Sequence, residues 1–372
     1  MTLRPSAPPA RNANLDLLRA AAIVLVFCYH WILMSPVELA EAMRRTGYAQ
    51  YGVDLFFALS GWLIGTLYWR ECAAAGRVAL LRFWGRRWLR TVPPYLAALG
   101  LAWLAVWMER GQPFDWRYLV FVQNYFPTVP FFVVSWSLCI EEHFYVVLPL
   151  VLALLMAGGR RSRAIHLLFL GGIVLAPIGR LIVTADGTLP FAGAVFARTA
   201  THLRMEGLLL GFWVAYLPVF EPGPWAALAR RSGALLAGSG LLLATVPALS
   251  FLWQYRLGMT MLAIGLTGCL VALVNRPAGR IASSPVIRAI AISSYSLYLT
   301  HPLMLHVAVS VIHRAPSLPW TLYFPLAALL SAAAGATFYL MIERPAIVLR
   351  DRLVARAARP AYGALRLRKA VV

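Results

Sequence analysis

Apolar residues in this chain come in blocks near the roughly 20 residues that a helix needs to cross the hydrocarbon of a bilayer, separated by short charged stretches. The blocks are continuous runs of Leu, Ala and Val, unlike the alternating segments of about ten residues that mark a transmembrane barrel. The pattern predicts ten spans, at about 17 to 34, 52 to 69, 91 to 108, 135 to 157, 164 to 183, 203 to 219, 229 to 249, 257 to 275, 289 to 311 and 319 to 342. The first block follows a Pro-rich polar start. It lacks the short uncharged core and small-residue cleavage site of a signal peptide, so it is expected to stay in place. The fold class is therefore all-α, a polytopic membrane protein of about ten transmembrane helices. Residues 1–15 form an N-terminal segment, 16–345 the helical domain and 346–372 a basic tail, with no internal repeat.

Composition agrees with this pattern. Of 372 residues, 61% are hydrophobic and 13% charged, against about a quarter charged in soluble domains, and the mean hydropathy is +0.71. A water-soluble globular enzyme is excluded. The formal net charge of +20 resembles a nucleic-acid footprint until its placement is considered. Counted over alternate connections, Lys and Arg number 24 on one side and seven on the other, which predicts that both termini are cytoplasmic. The partner of the basic tail is then the anionic inner leaflet, not nucleic acid. Cys28, Cys72, Cys139 and Cys269 are far apart, so neither a disulfide framework nor a zinc site is indicated.

Ionisable residues inside spans are expensive, and each is a candidate site. Span one carries Arg19 and, eleven residues on, His30, a rise of about 16 Å that puts the histidine in the outer half. Asp54 opens span two in GVDLFFALSG, Glu141 and Glu142 lie about two turns into span four in WSLCIEEHFY, Arg204 and Glu206 open span six, and His301 sits within span nine in SYSLYLTHPL. Five spans thus place polar groups at similar predicted depth. A neutral His beside a carboxylate has its tautomer fixed and can act as a base. Simpler readings stand beside these. A lone His is often a packing residue, Glu141 can pair with an Arg merely to be tolerated, and Gly61 and Gly65 form a small-residue pair for close helix approach. No HExxH-type spacing is present, so no metal is expected. The loop FWGRRWLRTVPPY brings Arg86, Arg87 and Arg90 to the inner face, where guanidinium forks suit phosphates, although such runs also set topology.

These residues resemble the acyltransferase 3 family of integral membrane O-acyltransferases. The family's Arg-x10-His hallmark is matched by Arg19 and His30 in LDLLRAAAIVLVFCYH. GVDLFFALSG, RRWLRTVPPY, WSLCIEEHFY, SYSLYLTHPL and the final IERP resemble its other blocks in family order. Thr300 departs from the Trp that often precedes the last His. The resemblance implies ten helices and transfer of an acyl group, acetyl being expected, from cytoplasmic acyl-CoA to a hydroxyl of a bacterial surface carbohydrate or glycoconjugate. It also implies residence in the bacterial inner membrane and no permanently bound cofactor. Many relatives carry a fused SGNH-type esterase domain, for which 372 residues leave no room, so a stand-alone transferase is expected.

On this reading the CoA phosphates rest on Arg19, Arg86, Arg87 and Arg90, and the pantetheine arm covers about four helical turns to His30. His30, oriented by Glu141 or Asp54, deprotonates the acceptor while Ser60, Arg204, Tyr145 and His301 are candidate contacts to substrate or oxyanion. An acyl-imidazole on His30 is the alternative route. The rival from another class is a secondary transporter or exporter of a small or lipid-linked substrate, since buried charges in ten spans also fit a transport pathway.

Overall fold

A computed structural model describes residues 11–35, 51–126, 131–159, 162–315 and 319–354. Within these the chain is helical, with no strand, and eight helices are long and apolar enough to cross a membrane. They are Ala13–Leu33 (α1), Tyr51–Ala75 (α2), Leu80–Arg110 (α3), Val133–Met156, Ser162–Val183 (α5), Phe251–Val274, Ser294–Arg314 and Trp320–Val354. The fourth consists of a 3-10 turn, Val133–Ser135, leading into helix Trp136–Met156 (α4). Predicted spans six and seven fall on shorter apolar helices, Glu206–Phe220 and Ser232–Ala248, below the roughly 20 residues a full crossing takes. Residues 1–10 and 355–372, and with them most of the two predicted terminal segments, lie outside the described residues.

Packing at the centre is set by glycine. Helix Phe191–Thr199 (α6) precedes Glu206–Val214 (α7), and α7 crosses α2 with backbones nearly touching. A Cβ on Gly61 would stand 2.2 Å from the Leu208 carbonyl oxygen, and one on Gly211 would stand 2.2 Å from that of Ala58. The Gly61/Gly65 spacing is thus a helix-contact surface, matched by Gly207 and Gly211 on α7, as small-xxx-small pairs are in membranes. The outer surfaces of α3 and α5 expose Leu101, Leu104, Met108, Leu167, Leu170 and Ile182, the surface expected toward lipid rather than water.

Two departures from expectation move the site. The arginine loop is no loop. Phe83–Pro94 is the first part of α3, which continues through Pro93 and Pro94, as neighbouring helices allow in membranes. The described part of the connection from α3 to α4, residues 111–126, folds back along α3 instead of lying outside it. In it, Asp115 caps a 3-10 turn by accepting from the Arg117 backbone N–H, and the Arg117 guanidinium holds that carboxyl below its ordinary range. Tyr95 Oη donates to the Tyr118 carbonyl at 2.8 Å, and Gln123 Nε2 donates to Ser135 Oγ at 3.0 Å. Every polar backbone group must be satisfied in lipid, and this irregular stretch is anchored on the protein through the buried Tyr118, Gln123 and Asn124 while Trp116, Leu119 and Val120 stay exposed. Consequently α4 begins partway along α3. Glu141 and Glu142 therefore lie level with Arg87, Trp88 and Thr91, not with His30.

Candidate active site

The side chains singled out from the sequence divide into three groups. The first surrounds a cavity of about 780 Å³ whose lining includes Arg19, Arg86, Arg87, Arg90, Ser60 and Glu141. Arg86 and Arg90 lie one helical turn apart on α3 and so share a face. Among the described residues Arg19, Arg86 and Arg90 make no hydrogen bond or ion pair. Arg87 differs. It pairs with Glu141 Oε2 at 3.1 Å and stacks its guanidinium on the Tyr145 ring, 4.2 Å from the centroid. Tyr145 Oη donates to Glu141 Oε2 at 2.8 Å and Ser60 Oγ to Glu141 Oε1 at 3.0 Å. The neighbouring Glu142 accepts from Trp88 Nε1 at 3.0 Å and Thr91 Oγ1 at 3.1 Å. The two carboxylates thus tie α4 to α2 and α3.

The second group is a pair of buried ion pairs. Arg204 grips Asp54 with both terminal nitrogens, at 2.6 and 3.0 Å, with side chains 5% and 2% exposed. Arg180 pairs with Glu206 at 2.7 Å, 0% and 1% exposed, and also donates to the Leu203 carbonyl and to Thr260. Reasoning from sequence passed over Arg180, although a charge within the apolar block 164 to 183 was the signal that would have found it.

The third group is at the far end of α1. His30 lies against His301 of Ser294–Arg314 (α8), with ring centroids 5.0 Å apart and His301 Nε2 3.2 Å from His30 Nδ1. Neither Glu141 nor Asp54 is brought to His30. The carboxylate expected to orient His30 is therefore engaged elsewhere, because α4 starts late and Asp54 is held by Arg204. Tyr145 and Arg204, as candidate oxyanion donors, already direct their hydrogens at Glu141 and Asp54. Along α8, Ser294, Tyr295 and Tyr298 line the cavity and His301 follows one turn later. Tyr298 Oη is 2.8 Å from the Val134 carbonyl and 2.6 Å from Ser137 Oγ. The distance from Arg19 to His30 along α1 is about 16 Å.

Taken together, the chain is a helical, multi-pass membrane protein in which an arginine-lined cavity approaches a paired-histidine centre within the bundle. Its family follows from comparison. The acyltransferase domain of the acyltransferase 3 family matches residues 12–340, and the chain belongs to that family of acyltransferases. A protein of Staphylococcus aureus strain COL bearing the name "Putative O-acetyltransferase" is 27% identical over 392 residues, covering 96% of this chain and 61% of the relative. The O-acetyltransferase OatA of Staphylococcus aureus strain NCTC 8325 / PS 47 is 27% identical over 377 residues, covering 91% of this chain and 57% of OatA. The chain therefore spans about three fifths of the length of these curated relatives. No solved structure matches it.

Proposed function

We propose that this acyltransferase moves an acetyl group from acyl-CoA, held on the cytoplasmic side of a bacterial inner membrane, to a hydroxyl of a carbohydrate or glycoconjugate. The observation that carries the reading is the cavity itself, which gathers Arg19, Arg86, Arg87 and Arg90 and reaches Tyr298, one turn from His301. The phosphates of a nucleotide-bearing thioester are the chemistry that open guanidinium forks recognise. Its volume falls within the 300 to 1,000 Å³ usual for ligand sites. With the positive-inside asymmetry, the arginine end faces the cytoplasm and His30 the opposite side.

His30 supports the chemistry through its free nitrogen. Its Nδ1 lies 2.9 Å from the Val26 carbonyl, which can only accept, so Nδ1 carries the proton and Nε2 the lone pair. Nε2 takes the acceptor's hydroxyl proton as the oxygen attacks the thioester carbonyl. The C–O bond forms, the C–S bond breaks, and the proton passes from Nε2 to the departing thiolate. OatA and the other relatives are named as O-acetyltransferases, which supports acetyl as the group transferred. The test is thioester loss from acetyl-CoA by purified protein in detergent, with and without a soluble sugar acceptor. Acceptor-stimulated release of CoA is expected. Substrate movement across proteoliposomes with no thioester loss would establish the transporter reading instead.

A further inference from the structure

We propose that His301 is the positioning residue of this reaction, accepting the Nδ1 hydrogen of His30 and sharing the positive charge that develops when Nε2 takes a proton. The inference rests on the reading of His30 as the base and goes beyond it by replacing the expected carboxylate partner with a second imidazole.

The proton positions follow from the acceptors. His301 Nδ1 lies 3.0 Å from the Leu297 carbonyl and so donates to it, which leaves Nε2 of a neutral His301 as a lone pair. That lone pair stands 3.2 Å from His30 Nδ1, whose hydrogen is therefore shared between His301 and the Val26 carbonyl. Both tautomers are fixed from outside, one by each helix's own backbone. The arrangement leaves His30 Nε2 as the free basic nitrogen of the pair. His301 is 1% exposed, and the Tyr298 ring, 5.9 Å away by centroids, packs on it.

No carboxylate touches either ring among the described residues. The groups around the pair are Tyr29, 5.3 Å from His30 by centroids and accepting from Arg198 at 3.0 Å. Trp136 sits between Arg198 and Arg204, at 5.8 and 6.0 Å, with Arg204 on Asp54. Tyr255 completes the surroundings of Arg198. Arg198 is a cation that opposes a positive charge on His30. A neutral acceptor at Nδ1 offsets that opposition, because a hydrogen bond to the charged form favours it. As His30 Nε2 gains the acceptor's proton, the Nδ1 hydrogen moves toward His301 Nε2. It returns when Nε2 gives its proton to the thiolate, so no proton is lost or gained.

The experiment compares His30→Ala, His301→Leu and His301→Gln in purified enzyme, reading kcat, both KM values and the pH dependence of kcat/KM. His301→Leu should lower kcat by about ten- to a hundredfold, at or below the lower end of the roughly 10² to 10⁴ that a base contributes, with both KM values within about threefold of wild type. Its acid limb should move to lower pH, since imidazolium at position 30 has lost its acceptor. His301→Gln, which keeps an acceptor oxygen, should recover part of kcat. A His301→Leu enzyme with unchanged kcat and acid limb, while His30→Ala is inactive, would overturn the positioning role alone. Activity in His30→Ala would overturn the function proposed for His30 itself. Loss of folded protein in His301→Leu leaves the His301→Gln acid limb as the deciding readout, and an unshifted limb with wild-type kcat there, where the second ring is gone, overturns charge sharing.

Discussion

Arg180 and Arg204 are almost fully buried, and each is held by a carboxylate, whereas Arg19, Arg86 and Arg90 face an open cavity and make no ion pair among the described residues. The contrast teaches that a charge inside a membrane bundle is not by itself a site. Arg204 satisfies Asp54 and Arg180 satisfies Glu206, so these pairs hold α2, α5 and α7 together and leave little capacity for a ligand. The cavity arginines keep donors free, which is what an anionic ligand needs. Glu141 stands between the two kinds, lining the cavity yet filled by Arg87, Tyr145 and Ser60.

The largest effect should come from unpairing a buried charge. Asp54→Asn leaves Arg204 without its counter-charge, and removal of one partner from a buried pair costs about 3 to 5 kcal/mol. Thermal unfolding in detergent should show a marked loss of stability, partly restored by the double change Asp54→Asn with Arg204→Met. A stable Asp54→Asn protein that has lost only turnover would move this pair into the site and dissolve the comparison.

A smaller effect is expected at the cavity. Charge-assisted contacts are worth about 1.5 to 3 kcal/mol. Arg86→Ala should therefore raise the donor KM by about ten- to a hundredfold, leaving the acceptor KM and the thermal midpoint unchanged. Arg86→Lys should fall between, since an ammonium keeps charge but loses the fork. Unchanged donor KM with less inserted protein would reduce Arg86 to a topology determinant.

Eight of the ten spans are legible because a bilayer imposes their length and apolarity whatever they pack against, whereas spans six and seven fall on shorter helices. The arginine cluster was legible for a similar reason, since Arg86, Arg87 and Arg90 are close in sequence and all reach one cavity. Pairings across helices were not. Whether Glu141 meets His30 or Arg87 depends on how far along α3 the chain turns back before Trp136, and that is set where Tyr95, Tyr118, Gln123 and Ser135 anchor an irregular segment. No periodicity announces such a segment. His301 stands out in the sequence for its place in a span, but its partner lies 271 residues away in the chain.

The central claim is that donor binding and proton removal occupy separate ends of one path, with cationic groups at one end and His30 at the other. The most direct measurement is equilibrium binding of CoA to purified His30→Ala beside its rate of acetyl transfer. The account predicts CoA affinity within about twofold of wild type, because His30 does not line the arginine cavity, together with a transfer rate lower by about 10² to 10⁴. Folded His30→Ala protein that transfers acetyl near the wild-type rate, or that has lost CoA binding, would contradict it.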